Sequence, residues 1–286
     1  MAVYEQTYHR YDGPRTSRRL RFLVIPRYAY QRLSGSKLLW ALLVAAALVT
    51  LGTAVLIYLK HNVRALAALN LEVGSLLPIN AEFFGVYLGI QLGIGFLLVL
   101  VAGPALVSMD LANAALPLYL ARPLARWEYV LGKLTVLAAL LSIVTWGFGL
   151  GLWLLQSILE GGSWAASNLR IAGALFAGSW IWILVLSFLT LALSALIRWP
   201  LAVRGVLLIV FLVLPGFGLA LAQVIQSSWG HALNLGADLA VVQAALFGTE
   251  PPAGPPLAGA ALLLAAVLAG SIGLLAAKLR AYEVVK

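Results

Sequence analysis

The sequence has no cysteine and few charged residues, and both absences exclude classes of protein. Without cysteine the chain forms no disulfide, uses no thiolate nucleophile and binds no metal through a thiolate. Only 10% of its 286 residues are charged and 63% are hydrophobic, whereas an ordinary soluble domain has about 25% and about 45–50%. This composition disfavours a water-soluble enzyme.

Six segments are apolar for long enough to cross a membrane, since a spanning helix needs about 20 mainly apolar residues. Their central parts contain no Asp, Glu, Lys or Arg, which are costly inside a bilayer. The segments are residues 38–59, 83–109, 134–159, 171–197, the first two thirds of 205–237, and 251–277. The sequence therefore predicts an all-α polytopic membrane protein with six transmembrane helices.

The positions of Lys and Arg predict how these spans are oriented. All but three of the 19 basic residues fall at one end of the predicted bundle, and the exceptions are Lys60, Arg64 and Arg170. Basic segments are retained on the cytoplasmic side, so both termini are predicted to be cytoplasmic. The formal charge of +9 is then explained by membrane topology, and no nucleic-acid partner is expected.

The same pattern divides the chain into parts. Residues 1–37 are predicted to form a cytoplasmic N-terminal segment, residues 38–277 the transmembrane domain, and residues 278–286 a cytoplasmic tail. Within the domain, residues 108–133 form an inner loop. Residues 224–256 form an outer segment with an interfacial or partly re-entrant helix.

A short helix is predicted before the first span. Pro26 suits a first helical turn, and Ala29, Tyr30 and Leu33 fall on one side of the helix that follows. Such a basic, aromatic, amphipathic helix is expected to lie along the inner membrane surface. The alternative is a disordered basic lead that only fixes the orientation.

Two groups of small or helix-breaking residues lie within the spans. Small residues four apart let helices approach closely, so the first group indicates either packing within the chain or a subunit interface. Proline bends or weakens a helix, so the second indicates a hinge or a simple kink. The groups are Gly85, Gly89 and Gly93 in the second span, and Pro215, Gly216 and Gly218 in the fifth.

The sequence offers little for catalysis or ion-coupled transport. An intramembrane enzyme needs a nucleophile with its base or a cluster of acids, and the three histidines lie far apart along the chain, so no metal site is predicted. The absence of a carboxylate from the predicted spans disfavours a proton- or sodium-coupled carrier. A phosphate-binding loop is also lacking, because the only Gly-Lys pair, Gly132–Lys133, is followed by Leu134. The chain is therefore not expected to be an ATPase or another enzyme.

The inner loop between the second and third spans has the most specific pattern. Ser108 or Asp110 is predicted to cap a helix over residues 111–121, and Arg122–Pro123 is predicted to end it. A second helix is predicted to begin near Ala125 and to continue into the third span. The result is a helix–turn–helix on the cytoplasmic face, suited to a soluble partner; an ordinary structured loop is the alternative.

The loop reads as an acidic residue, an apolar helix, Leu-x-Arg-Pro, and then Arg-x-Glu-Tyr-Val-Leu-Gly-Lys. Here these are Asp110, residues 116–120, Arg122–Pro123 and Arg126–Lys133. This pattern resembles the permease subunits of type-two ATP-binding-cassette (ABC) exporters, and the six-span layout agrees with it. The Ser or Thr usual before Arg-x-Glu in that family is Ala125, so a helix cap is missing.

The resemblance implies that the loop holds a coupling helix, which docks on a separate ABC ATPase subunit. It also implies a connecting helix at about residues 20–35, two permease copies with the substrate path between them, and two ATPase copies that carry ATP and Mg²⁺. No cofactor is expected on this chain, and a bacterial inner membrane is the expected location. The coupling residues that it implies are Asp110, Asn113, Leu116, Tyr119, Arg122, Pro123, Arg126, Glu128 and Lys133.

Two functional hypotheses follow. The first is an export permease driven by the ATPase partner. The second is an ATPase-coupled mechanical or signalling subunit that acts on an outer partner without moving a substrate, which the few polar residues in the spans would also allow.

Overall fold

The computed structural model describes residues 23–62, 78–113 and 125–280. Every regular element in these ranges is helical, and six helices are long and apolar enough to cross a membrane. Spans 1 to 6 are Lys37–His61, Ala81–Ala112, Arg126–Glu160, Leu169–Leu196, Pro200–Ile225 and Leu257–Lys278. The predicted all-α fold with six transmembrane helices is confirmed, and the orientation of the termini stays a prediction.

Three of the spans are composite, and shorter helices lie between or before them. The surface helix is Val24–Leu33, a short helix Gly162–Ser167 precedes span 4, and the outer segment holds a 3₁₀ turn, Ser228–Leu233, and the outer helix, Leu235–Phe247. Span 2 consists of Ala81–Ala102 and Pro104–Ala112, span 3 of Arg126–Ser142, Ile143–Gly147 and Phe148–Glu160, and span 5 of Pro200–Leu208, Ile209–Val213 and Leu214–Ile225.

Spans 2 and 4 form the centre of the bundle. In each of them, 61% of the most apolar 18-residue stretch is buried, against 11% in spans 1 and 5. Gly103 permits the close packing of the two central spans, since a Cβ atom there would lie 2.5 Å from the methyl group of Thr190. Many large apolar side chains of spans 1 and 5 therefore face outwards, toward lipid or another chain.

A polar cluster joins span 1 to span 2 within the bundle. The Gln91 amide donates to the Ala46 carbonyl at 3.0 Å, to Thr50 Oγ1 at 2.9 Å and to Tyr87 Oη at 3.1 Å. The buried hydroxyls of Thr145, Ser179 and Thr190 donate to a carbonyl of their own helix instead. Those of Ser187 and Ser194 have no partner in the described part of the chain. The Gln91 cluster therefore links two helices, whereas the Thr145 hydroxyl does not.

Span 5 widens into a π-helical turn, Ile209–Val213, just before Pro215. Proline has no N–H to donate to the carbonyl four residues back, and its ring crowds that carbonyl. A π-turn is one of the recognised ways in which a helix relieves such a break. The irregularity expected from Pro215 is present at this place.

The boundary between the outer segment and span 6 differs from the prediction. Span 6 begins at Leu257 rather than at residue 251, because the Pro-rich stretch of residues 251–256 is not helical. The outer helix ends before this stretch, at Phe247. Gly248 follows it as the C-cap residue, with a φ of +75° that suits glycine. Arg170 secures this end by donating to the carbonyls of Ala245 and Leu246 at 2.7 and 2.8 Å.

The surface helix is amphipathic, as predicted. Ala29, Tyr30 and Leu33 are partly buried against the bundle, whereas Arg27 and Arg32 are exposed. Tyr30 Oη donates to the Val136 carbonyl at 3.0 Å, which holds the helix against span 3. This burial raises the pKa of the Tyr30 hydroxyl above its ordinary value.

Candidate functional site at the inner ends of spans 2 and 3

The prediction that Ser108 or Asp110 caps a new helix is wrong. Both residues lie inside Pro104–Ala112, the last part of span 2, which begins with a proline at a favourable first-turn position. The Ser108 hydroxyl donates back to the Pro104 carbonyl of its own helix. The helix ends at Asn113, so the helix predicted over 111–121 does not begin where the sequence suggested, and residues 114–124 lie outside the described ranges.

Asp110 instead forms the centre of a contact that we call the Asp110 brace, made by Asp110, Tyr129 and Lys133. Lys133 Nζ lies 2.7 Å from Asp110 Oδ2, and Tyr129 Oη donates to the same oxygen at 2.8 Å. The side chains of Lys133 and Asp110 are only 8% and 17% exposed. Lys133 Nζ also lies 5.4 Å from the centre of the Tyr129 ring, within range of a cation–π interaction.

The brace follows from helical spacing in span 3. Tyr129 and Lys133 are four residues apart and so lie on one face of the helix, which turns them toward the last turn of span 2. The carboxylate gains two partners and the ammonium one, which offsets the cost of removing these charges from water. The brace fixes the two ends of the inner loop to each other.

The start of span 3 has half of a capping box. Ala125 occupies the N-cap position and has no side-chain hydrogen bond, as its sequence predicts. Glu128 Oε2 accepts the Ala125 N–H at 2.7 Å, which satisfies one backbone donor at the helix start. Glu128 therefore orders the loop end within its own chain.

The structure places five of the nine predicted coupling residues. Asp110 and Lys133 contact each other, Glu128 bonds to its own loop, Asn113 is exposed and Arg126 is partly exposed. The sequence-based selection missed Tyr129, although its position four residues before Lys133 was a usable signal. Leu116, Tyr119, Arg122 and Pro123 lie outside the described residues.

The glycine row of span 2 is mostly unpacked in the part of the chain that the structure describes. A Cβ atom on Gly85 would lie 4.0 Å from Phe247, whereas nothing lies within 4 Å of one on Gly89 or Gly93. The neighbouring side chain of Val86 is 67% exposed. Packing among the described residues therefore does not account for Gly89 and Gly93.

The two glycines next to Pro215 also differ in whether they pack against another part of the chain. Gly218 contacts the outer segment, where a Cβ atom would lie 3.1 Å from the Gly230 carbonyl oxygen. Nothing lies within 4 Å of a Cβ atom on Gly216. Among the described residues, Gly218 thus has a packing reason and Gly216 has none, and a hinge at this place stays a prediction.

A second unusual group, Asp238, lies in the outer helix. Its side chain is fully buried, and neither carboxylate oxygen has a hydrogen-bond partner in the described part of the chain. The helix start is capped instead by Asn234 Oδ1, which accepts the Ala237 N–H at 3.1 Å. Burial raises the pKa of Asp238 to about 6, because the charged form is poorly solvated there.

The raised pKa predicts a pH-dependent stability. The folded chain holds this proton more tightly than the unfolded chain, so the stabilisation is complete below about pH 4 and is lost as the pH rises through about 6. The difference from the ordinary 3.8 corresponds to about 3 kcal/mol. We expect Asp238→Asn to remove this loss in thermal unfolding in detergent between pH 4 and 7. Glu250→Gln, at an exposed acid nearby, should keep the parent profile, and parallel profiles for both variants would contradict the prediction.

A metal centre finds no support in the described ranges, where no three His, Asp or Glu side chains form a group that could hold an ion. His61 pairs with one carboxylate, Glu160, at 2.6 Å and thereby joins the outer ends of spans 1 and 3.

Comparison of the chain with models of known protein families and with curated proteins finds no match. The six apolar helices suggest a multi-pass membrane protein. Any finer functional assignment rests on the sequence pattern of the inner loop and on the geometry of the Asp110 brace.

Proposed function

We propose that this chain is the permease subunit of an ABC transporter of the exporter type, driven by a separate ATPase subunit that docks on the inner loop. The observation that carries the proposal is the loop itself. Its Leu-x-Arg-Pro and Arg-x-Glu-Tyr-Val-Leu-Gly-Lys pattern is closed at its base by the Asp110 brace.

The brace gives the loop the mechanical property that coupling requires. A push on a loop reaches the spans only if the ends of the loop are fixed to them. Here a buried ion pair and a phenol hydrogen bond join the last turn of span 2 to the first turns of span 3. Tyr30 in turn holds the surface helix against span 3. A displacement of the loop would therefore move spans 2 and 3 and the surface helix together.

The source of energy also favours an external ATPase. Ion-coupled carriers keep ionisable groups near the middle of their spans. In the described spans, all four carboxylates lie in end turns, and that of Asp110 is already paired. They belong to Glu82, Asp110, Glu128 and Glu160. The chain thus offers no mid-span acidic relay in these ranges, and work on a substrate would be supplied through the loop.

A separate observation on span 2 supports a dimer of two copies of this chain. Gly89 and Gly93 leave a groove of small residues on span 2 with no neighbour in the described chain, and such grooves let helices of two subunits approach closely. We propose a homodimer in which the substrate path lies between the two permeases.

The proposal is tested by isolating the protein from native membranes and measuring bound ATPase. We expect two permeases with two ATPase subunits, and we expect Arg122→Ala with Arg126→Ala to lose the ATPase by at least about tenfold, because two cationic contacts at a coupling surface are removed. Arg198→Ala with Lys37→Ala is the matched control, since both residues are exposed, basic and outside the loop. Undiminished ATPase in the loop variant would contradict the proposed docking surface.

Transport itself needs a separate measurement. Permease and ATPase in liposomes should move a substrate to one side only when ATP is supplied. ATP hydrolysis that needs an outer partner and moves no substrate would favour the mechanical hypothesis instead.

A further inference from the structure

A cavity of about 540 Å³ lies between the surface helix and the inner ends of spans 2, 3 and 5. Its walls are apolar on two sides, with Ile25 and Leu33 from the surface helix and Leu106 from span 2. Arg32 and Arg204 provide cationic groups on the lining. The cavity thus combines an apolar wall with two arginines at one end of the bundle.

The net charge of this lining is positive. The other two charged residues on it, Asp110 and Lys133, neutralise each other at 2.7 Å. Arg204 Nε donates to the Leu100 carbonyl at 3.0 Å, which fixes the guanidinium, and its terminal nitrogens have no partner in the described ranges. Arg32 is exposed and pairs with no acidic residue in these ranges. Two guanidinium groups therefore remain for an anion.

The start of span 1 adds to this positive potential. Ser36, which caps span 1, lies on the cavity lining. The first turn of span 1 contains no acidic residue and begins with Lys37. The N-terminal end of a helix carries a partial positive charge that favours anions, so helix dipole and arginines act in the same direction.

We propose that this cavity binds the phosphate headgroup of an anionic phospholipid, with Arg32 and Arg204 as its cationic ligands. Guanidinium groups bind phosphate through paired hydrogen bonds, and clustered basic groups beside membrane spans are suited to anionic lipids. The apolar walls favour a lipid over free phosphate, because they give the glycerol and upper acyl chains a surface to contact. The position at the ends of the spans is where headgroups lie if these helices cross a bilayer.

The proposal requires the spans to lie in a membrane and does not require an ATPase partner. Loss of ATPase binding and loss of lipid binding are therefore separate outcomes, measured on different variants.

The test is native mass spectrometry of the purified full chain titrated with phosphatidylglycerol or with zwitterionic phosphatidylcholine. We expect the parent to hold phosphatidylglycerol more tightly than phosphatidylcholine. Arg32→Gln with Arg204→Gln should weaken the binding of phosphatidylglycerol about 25-fold, from about fivefold for each arginine. The matched control is Arg27→Gln with Arg198→Gln, which removes the same charge from exposed sites on the same two regions, outside the cavity lining. The control should keep the parent affinity.

Three outcomes decide the proposal. Equal affinities in the two double variants would overturn it, because the cavity arginines would then add nothing beyond general charge. Complete displacement of the lipid by 10-fold excess inorganic phosphate, or equal binding by both lipids, would overturn the lipid assignment. Arg204 also bonds to span 2, so its replacement could disturb the fold. The single variant Arg32→Gln avoids this problem, and its affinity for phosphatidylglycerol should still fall about fivefold.

Discussion

Replacing Asp110 with Asn is expected to lower the free energy of unfolding by about 3 kcal/mol or more, because Lys133 would keep its charge in a buried site without a counter-ion. The pair is 2.7 Å apart and mostly shielded from water, so solvent can replace the carboxylate only in part. The expected result is a clear drop in melting temperature, measured by thermal unfolding in detergent at constant lipid content.

Two further variants separate the pair from general effects of substitution in the loop. Glu128→Gln removes a charge nearby but keeps a side-chain oxygen for the Ala125 N–H, and we expect a change of about 1 kcal/mol at most. Asp110→Leu with Lys133→Met removes both charges and should recover most of the stability, since apolar replacement of a buried pair is often neutral. A parent-like melting temperature for Asp110→Asn would contradict the brace.

The double variant also addresses coupling. Asp110→Leu with Lys133→Met should restore folding, because apolar contact replaces the ion pair. If the brace transmits motion as proposed, this contact should transmit it less well, since it is less directional than an ion pair. The ATPase would then still bind, and its stimulation by the permease would be reduced. Full stimulation in this variant would assign the brace to stability alone.

Replacing Gly230 with Ala is expected to have the second large effect. The 3₁₀ turn of the outer segment lies against span 5 so closely that a Cβ atom on Gly230 would overlap the backbone of Ala222. A backbone atom cannot move aside as a side chain can, so the turn must lift from span 5. We expect a loss of about 3 kcal/mol, the upper part of the usual range for overpacking, and release of the outer segment to proteolysis.

Gly216→Ala is the control for this experiment. Gly216 lies in the helical part of span 5 with no atom within 4 Å of a Cβ position. Alanine there should be neutral or slightly stabilising, because it lowers the entropy of the unfolded chain and favours the helix. Equal melting temperatures and equal protease resistance for the two variants would show that the outer segment does not depend on this contact.

The features of this fold that depend on nearby residues could be predicted from the sequence, whereas contacts between distant helices could not. Each span could be predicted from its own stretch of sequence, because the cost of burying charges in a bilayer depends on local composition. The amphipathic surface helix and the missing cap at Ala125 were also predictable, because helical periodicity and capping depend on residues close in the sequence. The inner helix over residues 111–121 was mispredicted at its start, because Pro104 and the continued apolar pattern keep span 2 helical through Ala112.

By itself the sequence determined the six-helix all-α fold, the irregularity next to Pro215, and the loop pattern that leads to the proposed ABC permease. The tertiary structure alone decided that Asp110 pairs with Lys133 and Tyr129, that Asp238 is buried without a partner, and that Gly89 and Gly93 have no neighbour in the described chain. The physical reason is that helix formation in a span depends on neighbouring residues, whereas each of these contacts depends on which faces of distant helices meet.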